Sequence, residues 1–184
     1  IHSFHEEYPD ISMEIFQGTY DDVVYWIKNG VVDVGFLSVS SAADIPIEPL
    51  YKDPLLCVVQ KGRRTSKEPM SIEEMKNCQF VTQRESTDAD IQNFMKENHL
   101  DVRSSYHVVD DLSTVVMVAN GFGICLMPEM VMKDIPYEVD CFPVKPDACR
   151  IIGIAALNPD NMAPAVRTFY NRVLAMYQQE EYVK

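Results

Sequence analysis

Basic charge is what this sequence most clearly lacks. Sixteen Lys and Arg stand against 28 Asp and Glu, giving a formal net charge of −12. The one tight basic group is Arg63, Arg64 and Lys67 in a polar stretch. Gripping nucleic acid needs a basic footprint for the phosphates, so this chain by itself is not expected to do so. The acidic balance reads as a solubility feature. The five cysteines, at 57, 78, 125, 141 and 149, are odd in number and form no CxxC pair. Neither a disulfide framework nor a zinc site is indicated, and they read as reduced core residues of a cytoplasmic protein. No signal peptide and no apolar run long enough to span a bilayer is visible, so no membrane is expected. The chain also lacks a nucleophile-elbow motif, a P-loop, a dinucleotide fingerprint and a metal signature; it is therefore expected to be no enzyme and to carry no cofactor. His2 and His5 could share a helical face, but no acidic or thiol partner sits at a recognisable spacing, so no metal is expected.

What is present begins with Ile11 to Leu37. Ile11, Met13 and Ile15 alternate with Ser12 and Glu14, which predicts a strand over 11–17. Gly18 permits a turn, Thr19 stands at a helix N-cap position, and Asp22 supplies the acidic half of a capping box. Tyr20, Val23, Val24 and Ile27 follow at i, i+3, i+4, i+7, the stripe of a helix laid on a sheet, and Gly30 ends it. Val31, Val32, Val34, Phe36 and Leu37 read as a strand buried on both faces. Strand, helix and strand predict a parallel βαβ unit, whose ligand sites lie beyond the carboxyl ends of its strands, at 17–19 and 38–41.

The rest of the chain continues in the same manner. Residues 1–7 read as the tail of a helix that Pro9 terminates, and SSAADIPIEP (40–49) reads as a loop. A strand is predicted over 55–60. Ser71 and Glu74 cap a short helix, and 79–82 is a strand. An amphipathic helix covers 88–99, with Ser86 or Thr87 as its cap. A strand covers 106–109. Asp110 or Asp111 caps a helix that runs through Ala119, and Pro128 stops a strand over 123–127. Strands over 138–143 and 150–157 precede a last helix. Pro164 sits in that helix's first turn, and Val166, Phe169, Tyr170, Val173, Leu174 and Tyr177 recur at helical spacing. Alternating elements of this kind define an α/β protein.

Three runs carry a resemblance: FHEEYPDISMEIFQGTYDDVVYWIKNGVVDVGFLS, DPLLCVV followed by SIEEMKN, and VVDDLSTVVMVANGFGICLMP. In this order they resemble the effector-binding domain of LysR-type transcriptional regulators from about Ile1 to about Tyr177. The resemblance implies a two-lobed, periplasmic-binding-protein-like (type 2) α/β fold with Rossmann-like lobes and a cleft between them. Lobe I would be residues 1–53 and 150–184, and lobe II 54–149. It implies a module that binds a small-molecule effector and couples it to DNA binding in the full-length regulator, as a homodimer or higher homo-oligomer. Tyr25 and Trp26, outside the main stripe of their helix, suit such an interface. DNA would be reached only through a helix-turn-helix domain that these 184 residues do not contain. The family's first, central strand is likewise not among them; it would lie between 11–17 and 32–37. Its gap is expected to be closed by direct pairing or patched by another strand. The alternative is a solute-binding protein of a transporter.

Helix N-termini gather backbone N–H groups and the positive end of the helix dipole, which favours anionic atoms. Three such starts, at Thr19, at Ser86 or Thr87, and at Asp110 to Ser113, point to an effector that bears a carboxylate, against the plainer reading of each as an ordinary helix cap and the alternative that the negative charge of Asp110 and Asp111 holds an amine. By resemblance and by position at strand ends, the expected effector contacts are Thr19, Ser38, Gln83, Arg84, Ser86, Thr87, Asp110 and Leu112. His107 alternates with apolar residues in its strand and reads as a structural or lobe-facing group.

Overall fold

The computed structural model describes the chain apart from residues 84–88, 101, 103 and 179–184 and the side chains of residues 83, 104, 105 and 178. In chain order the elements are α1 (His2–Glu7), α2 (Tyr20–Lys28), β1 (Gly35–Ser38), β2 (Ile47–Gln60), β3 (Met70–Ser71), α3 (Ile72–Lys76), β4 (Phe80–Gln83), α4 (Ala89–Glu97), β5 (Ser104–Val108), α5 (Asp111–Ala119), β6 (Cys125–Pro128), α6 (Glu129–Met132), β7 (Val139–Lys145), β8 (Cys149–Ala155) and α7 (Pro164–Gln178). The chain divides into two compact units, residues 1–52 with 151–184, and residues 53–150. It passes from one to the other within β2 and returns within β8.

In the first unit the local signals are obeyed. Thr19 caps α2: its hydroxyl accepts from the Asp22 N–H at 3.2 Å, while the Thr19 N–H donates to the Asp22 carboxylate at 2.9 Å. The α2 stripe packs Val23, Val24 and Ile27 against Leu37, Ile45 and Ala155. Gly35 makes this close approach possible, because a Cβ there would lie 2.5 Å from a Val23 methyl. β1 runs antiparallel to β8, from Gly35 opposite Ala155 to Ser38 opposite Ile152, and β8 lies between β1 and β2. α7 covers this sheet with Tyr170 and Val173 on Leu50, Ile154 and Ala156. Its Phe169 ring meets Phe4 of α1 edge-on at 5.2 Å.

Here the βαβ expectation fails. Residues 11–17 form no strand, and the run predicted over 31–37 is a strand only at Gly35–Ser38, antiparallel to β8. Alternation supplies an apolar side, but a strand exists only when a neighbour takes its N–H and C=O groups. Among the described residues the backbone of 12–17 makes no hydrogen bond. Ile15 is left 71% exposed, and Phe16 rests on Trp26 at 5.7 Å between ring centroids. Among the described residues, therefore, no segment closes or fills the expected gap.

In the second unit β4 lies parallel to β5, with Val81 opposite Tyr106 and Gln83 opposite Val108. The other edge of β4 meets residue 124, where the Val81 N–H donates to the Ile124 carbonyl and the Ile124 N–H to that of Gln79, both at 2.9 Å. Gly123 lets the two backbones approach, since a Cβ there would stand 2.4 Å from the Gln79 carbonyl oxygen. The far half of β2 pairs antiparallel with β6 and β7, and β3 adds parallel to β7. Leu55, Met75, Phe80, Phe94, Ile124 and Phe142 form the main core on one side, while Val58, Val81, Val115, Val118 and Met127 form a second cluster.

Several other expectations change. β2 starts at Ile47, inside the stretch read as a loop, and the short β3 and α6 carry too few residues to show a period. Arg64, read with Arg63 and Lys67 as a basic group in a polar stretch, is engaged within the chain. It donates to the Ser66 and Glu68 carbonyls and to both carboxylate oxygens of Glu74, with its guanidinium 4.6 Å over the Phe142 ring. All five cysteines are free, yet only Cys57 and Cys125 are core residues; Cys141 is exposed and Cys78 and Cys149 are half-buried. Burial pushes the Cys57 thiol up to about 12. Among the described residues no helix is long and apolar enough to cross a membrane.

Candidate functional site

Parallel strands place ligand sites beyond their carboxyl ends, and β4 and β5 are a parallel pair of the second unit that is longer than the two-rung pair of β3 and β7. Both end at the Gln83–Val108 rung. Just before that rung, Thr82 and His107 stand opposite each other, and the Thr82 hydroxyl lies 3.0 Å from His107 Nδ1. This bond fixes the ring and leaves Nε2 on an exposed residue. α5 starts three residues after β5. Asp110 caps it, its carboxylate accepting from the Ser113 N–H at 2.8 Å, and the Thr114 hydroxyl returns to the Asp110 carbonyl at 2.8 Å. The Ser113 N–H holds the Asp110 carboxyl below the usual carboxylate range. Leu112, on the next residue but one, is 46% exposed, an apolar side chain beside these polar groups.

The first unit supplies Thr19 and Ser38. Ser38 ends β1, is fully buried, and its hydroxyl lies 3.0 Å from that of Ser40. The neighbouring Ser41 hydroxyl is buried without a hydrogen-bond partner. The Thr19 hydroxyl both accepts from Asp22 N–H and donates to its carboxylate at 2.8 Å. Its hydrogen bonds hold the Asp22 carboxyl below the usual range.

The helix-start argument thus changes in one respect. At α2 and at α5 the N–H groups already face a carboxylate of the chain itself, Asp22 and Asp110, so these two starts are poor seats for a second anion. Of the other expected contacts, Gln83 is placed by its backbone at the end of β4. Arg84, Ser86 and Thr87 lie outside the described residues. The structure adds Thr82 to the group. Sequence reasoning missed it, although its place at the end of a strand, opposite a histidine, is the kind of signal that could have found it. Among the described residues no group of three or more His, Cys, Asp or Glu could hold a metal ion. His2 instead faces Glu6 at 3.5 Å.

One discontinuous and one continuous α/β unit joined through β2 and β8 define the type 2 periplasmic-binding-protein-like fold seen in effector-binding domains. The regulatory domain of CcmR from Synechocystis PCC6803, solved in complex with 2-PG, matches with a TM-score of 0.87 at 16% identity, over 97% of this chain and 89% of that one. The effector-binding domain of QuiR, solved in complex with shikimate, matches at 0.83 and 22% identity, over 97% of this chain and 88% of that one.

The model of the LysR substrate binding domain family matches residues 1–178, and the chain belongs to that family. Among curated relatives, the uncharacterized HTH-type transcriptional regulator YoaU of Bacillus subtilis (strain 168) is 23% identical over 92% of this chain and 58% of its own length. The transcriptional dual regulator GltC of the same organism is 23% identical over 98% of this chain and 63% of its own length. The chain thus spans about six-tenths of the curated relatives it matches.

Proposed function

We propose that the chain is the effector-binding module of a LysR-type transcription regulator. In this reading it binds a small carboxylate-bearing metabolite and passes that event to a DNA-binding domain elsewhere in the full-length protein. The observation that carries the reading is the family match over residues 1–178. The exposed polar group at the ends of β4 and β5 gives it a place to act. That Asp22 and Asp110 occupy their own helix starts decides how an anion would be met. Its counter-charge falls to Arg84, whose guanidinium suits a planar carboxylate, with the hydroxyls of Ser86 and Thr87, Gln83 and the exposed His107 as hydrogen-bonding partners. Leu112 supplies an apolar wall. Thr19 and Ser38 are the contacts proposed for the first unit.

The module is a binding protein and not an enzyme, and it works in the cytoplasm as a homodimer or higher homo-oligomer, with Tyr25, 62% exposed on α2, as an interface residue. Isothermal titration against a library of small metabolites, each carboxylate paired with its amide, tests the chemistry. The carboxylates should bind and the amides should not, and Arg84→Gln should weaken binding at least tenfold, the loss of one charge-assisted contact worth about 1.5–3 kcal/mol. Hits confined to apolar or cationic compounds would refute the reading.

A further inference from the structure

The bond between Thr82 and His107 bears on which ring nitrogen carries the proton. The Thr82 hydroxyl has one hydrogen to give, and two acceptors lie within its reach: the Tyr106 carbonyl at 3.4 Å and His107 Nδ1 at 3.0 Å. If the hydroxyl donated to Nδ1, its contact with the carbonyl would go unused. The assignment that uses both contacts runs as a chain, in which His107 Nδ1–H donates to the Thr82 oxygen and the Thr82 hydroxyl donates to the Tyr106 carbonyl. Hydrogen bonds arranged in series polarise and strengthen one another. A neutral imidazole carries a single N–H, so a proton on Nδ1 leaves Nε2 as a bare acceptor. The residue is exposed, and among the described residues no further group bonds its ring.

We propose that His107 determines specificity at this site: held by Thr82 as the Nδ1–H tautomer, it presents Nε2 as an acceptor, and the effector is a carboxylate that also carries a hydroxyl to donate to it. The inference rests on the effector-binding reading given above and names the class of ligand within it. Arg84 takes the carboxylate, and His107 takes the hydroxyl. The groups beside His107 favour a ligand that brings its own hydrogen. The Asp110 carboxylate accepts only, and the Thr114 hydroxyl has given its hydrogen to the Asp110 carbonyl at 2.8 Å. An ammonium would also bring a hydrogen, but its charge needs a carboxylate free to receive it. Asp110 is turned to the Ser113 N–H at 2.8 Å, and Asp111 is engaged as well. A bound acid without the hydroxyl would cover Nε2 and leave it unpaired. A site built to bond a ligand hydroxyl rejects the analogue that lacks it for this reason.

The test has two arms, and the first needs no ligand. Nitrogen NMR of the 184-residue chain at about pH 8, where an ordinary imidazole is neutral, reads the tautomer directly. His107 should show a protonated Nδ1 and a bare Nε2. Thr82→Val should leave the proton unfixed between the two nitrogens, and Thr82→Ser should hold it on Nδ1 as the native residue does. A proton on Nε2 in the native chain would overturn the proposal whatever the chain binds. The second arm is isothermal titration at the same pH with aliphatic and aromatic hydroxy acids, each set beside its O-methyl ether, its deoxy acid and the matching amino acid. The hydroxy acid should bind at least tenfold more tightly than its ether and its deoxy acid. Thr82→Val and His107→Phe should erase that preference while still binding the deoxy acid, and Thr82→Ser should keep it. Equal binding of hydroxy acid and ether, or a preference for the amino acid, would overturn the proposal and leave the carboxylate reading standing. Binding of none of these acids would overturn both.

Discussion

At the residue scale, acidic groups set the character of the candidate site. Asp22 and Asp110 each close a helix start, and hydrogen bonding holds both carboxyls below their ordinary range. A carboxyl with a depressed folded-state pKa contributes stability that is fully present above its unfolded value of about 3.9 and disappears as pH falls through the folded value. The Asp110 cap should therefore be constant from pH 5 to 8 and fail only in stronger acid. Asn caps nearly as well but does not titrate. The stability difference between the native chain and Asp110→Asn, followed by denaturant unfolding, should be flat from pH 8 to 5 and shift against the native chain below about pH 4. A difference that changes instead between pH 6 and 8 would show that another group controls it. Thr19→Ala removes a cap of the ordinary kind and should cost about 1 kcal/mol, read as a lower melting temperature.

At the scale of elements, what could be read in the sequence was what is decided locally. The caps at Thr19, Ser71 and Asp110, the stripe of α2 and the repeat of α7 are settled within a few residues, and the structure has them where the pattern places them. Strands depend on partners remote in sequence. The alternation of 11–17 therefore suggested a strand that has no partner, while the loop-like composition of 40–49 concealed the start of β2. The same limit hid Asp53. It reads as one charge in the polar run YKDP, but it is fully buried, accepting from the Met130 N–H at 2.8 Å and from Arg150 Nε at 2.9 Å across 97 residues of sequence. It thereby ties β2 to the start of both α6 and β8. Asp53→Ala would remove the fully buried carboxylate that faces the Arg150 guanidinium, itself only 11% exposed, and should cost about 3–5 kcal/mol in chemical unfolding. A loss under 1 kcal/mol would mean that the pair is dispensable. At the site, the ends of β4 and β5 could be located from the sequence, whereas the Thr82–His107 bond could not, because it depends on the register between two strands.

At the scale of the molecule, the two units differ in how fully their backbones are satisfied, and this difference should appear in their dynamics. Amide exchange reports the free energy of local opening, from near zero for unbonded segments up to the global value in core strands. In the second unit β4 is bonded along both edges, to β5 and to residue 124, and Phe80, Val81 and Ile124 are all buried. In the first, among the described residues, 12–17 has no backbone partner and β1 has one. Residues 12–17 are exposed apart from the half-buried Met13, with Ile15 at 71%, so their amides meet water in place of a partner and add nothing to a stability that totals about 5–15 kcal/mol. The amides of 12–17 in the 184-residue chain should therefore exchange at close to free-peptide rates, while those of Val81 and Ile124 should exchange orders of magnitude more slowly, limited by opening of the second unit. Unfolding followed residue by residue should show the first unit lost at lower denaturant than the second. Equal protection across 12–17 and 79–83 would mean that the first unit satisfies its backbone in another way, and a single transition shared by both units would mean that the incomplete sheet does not weaken it.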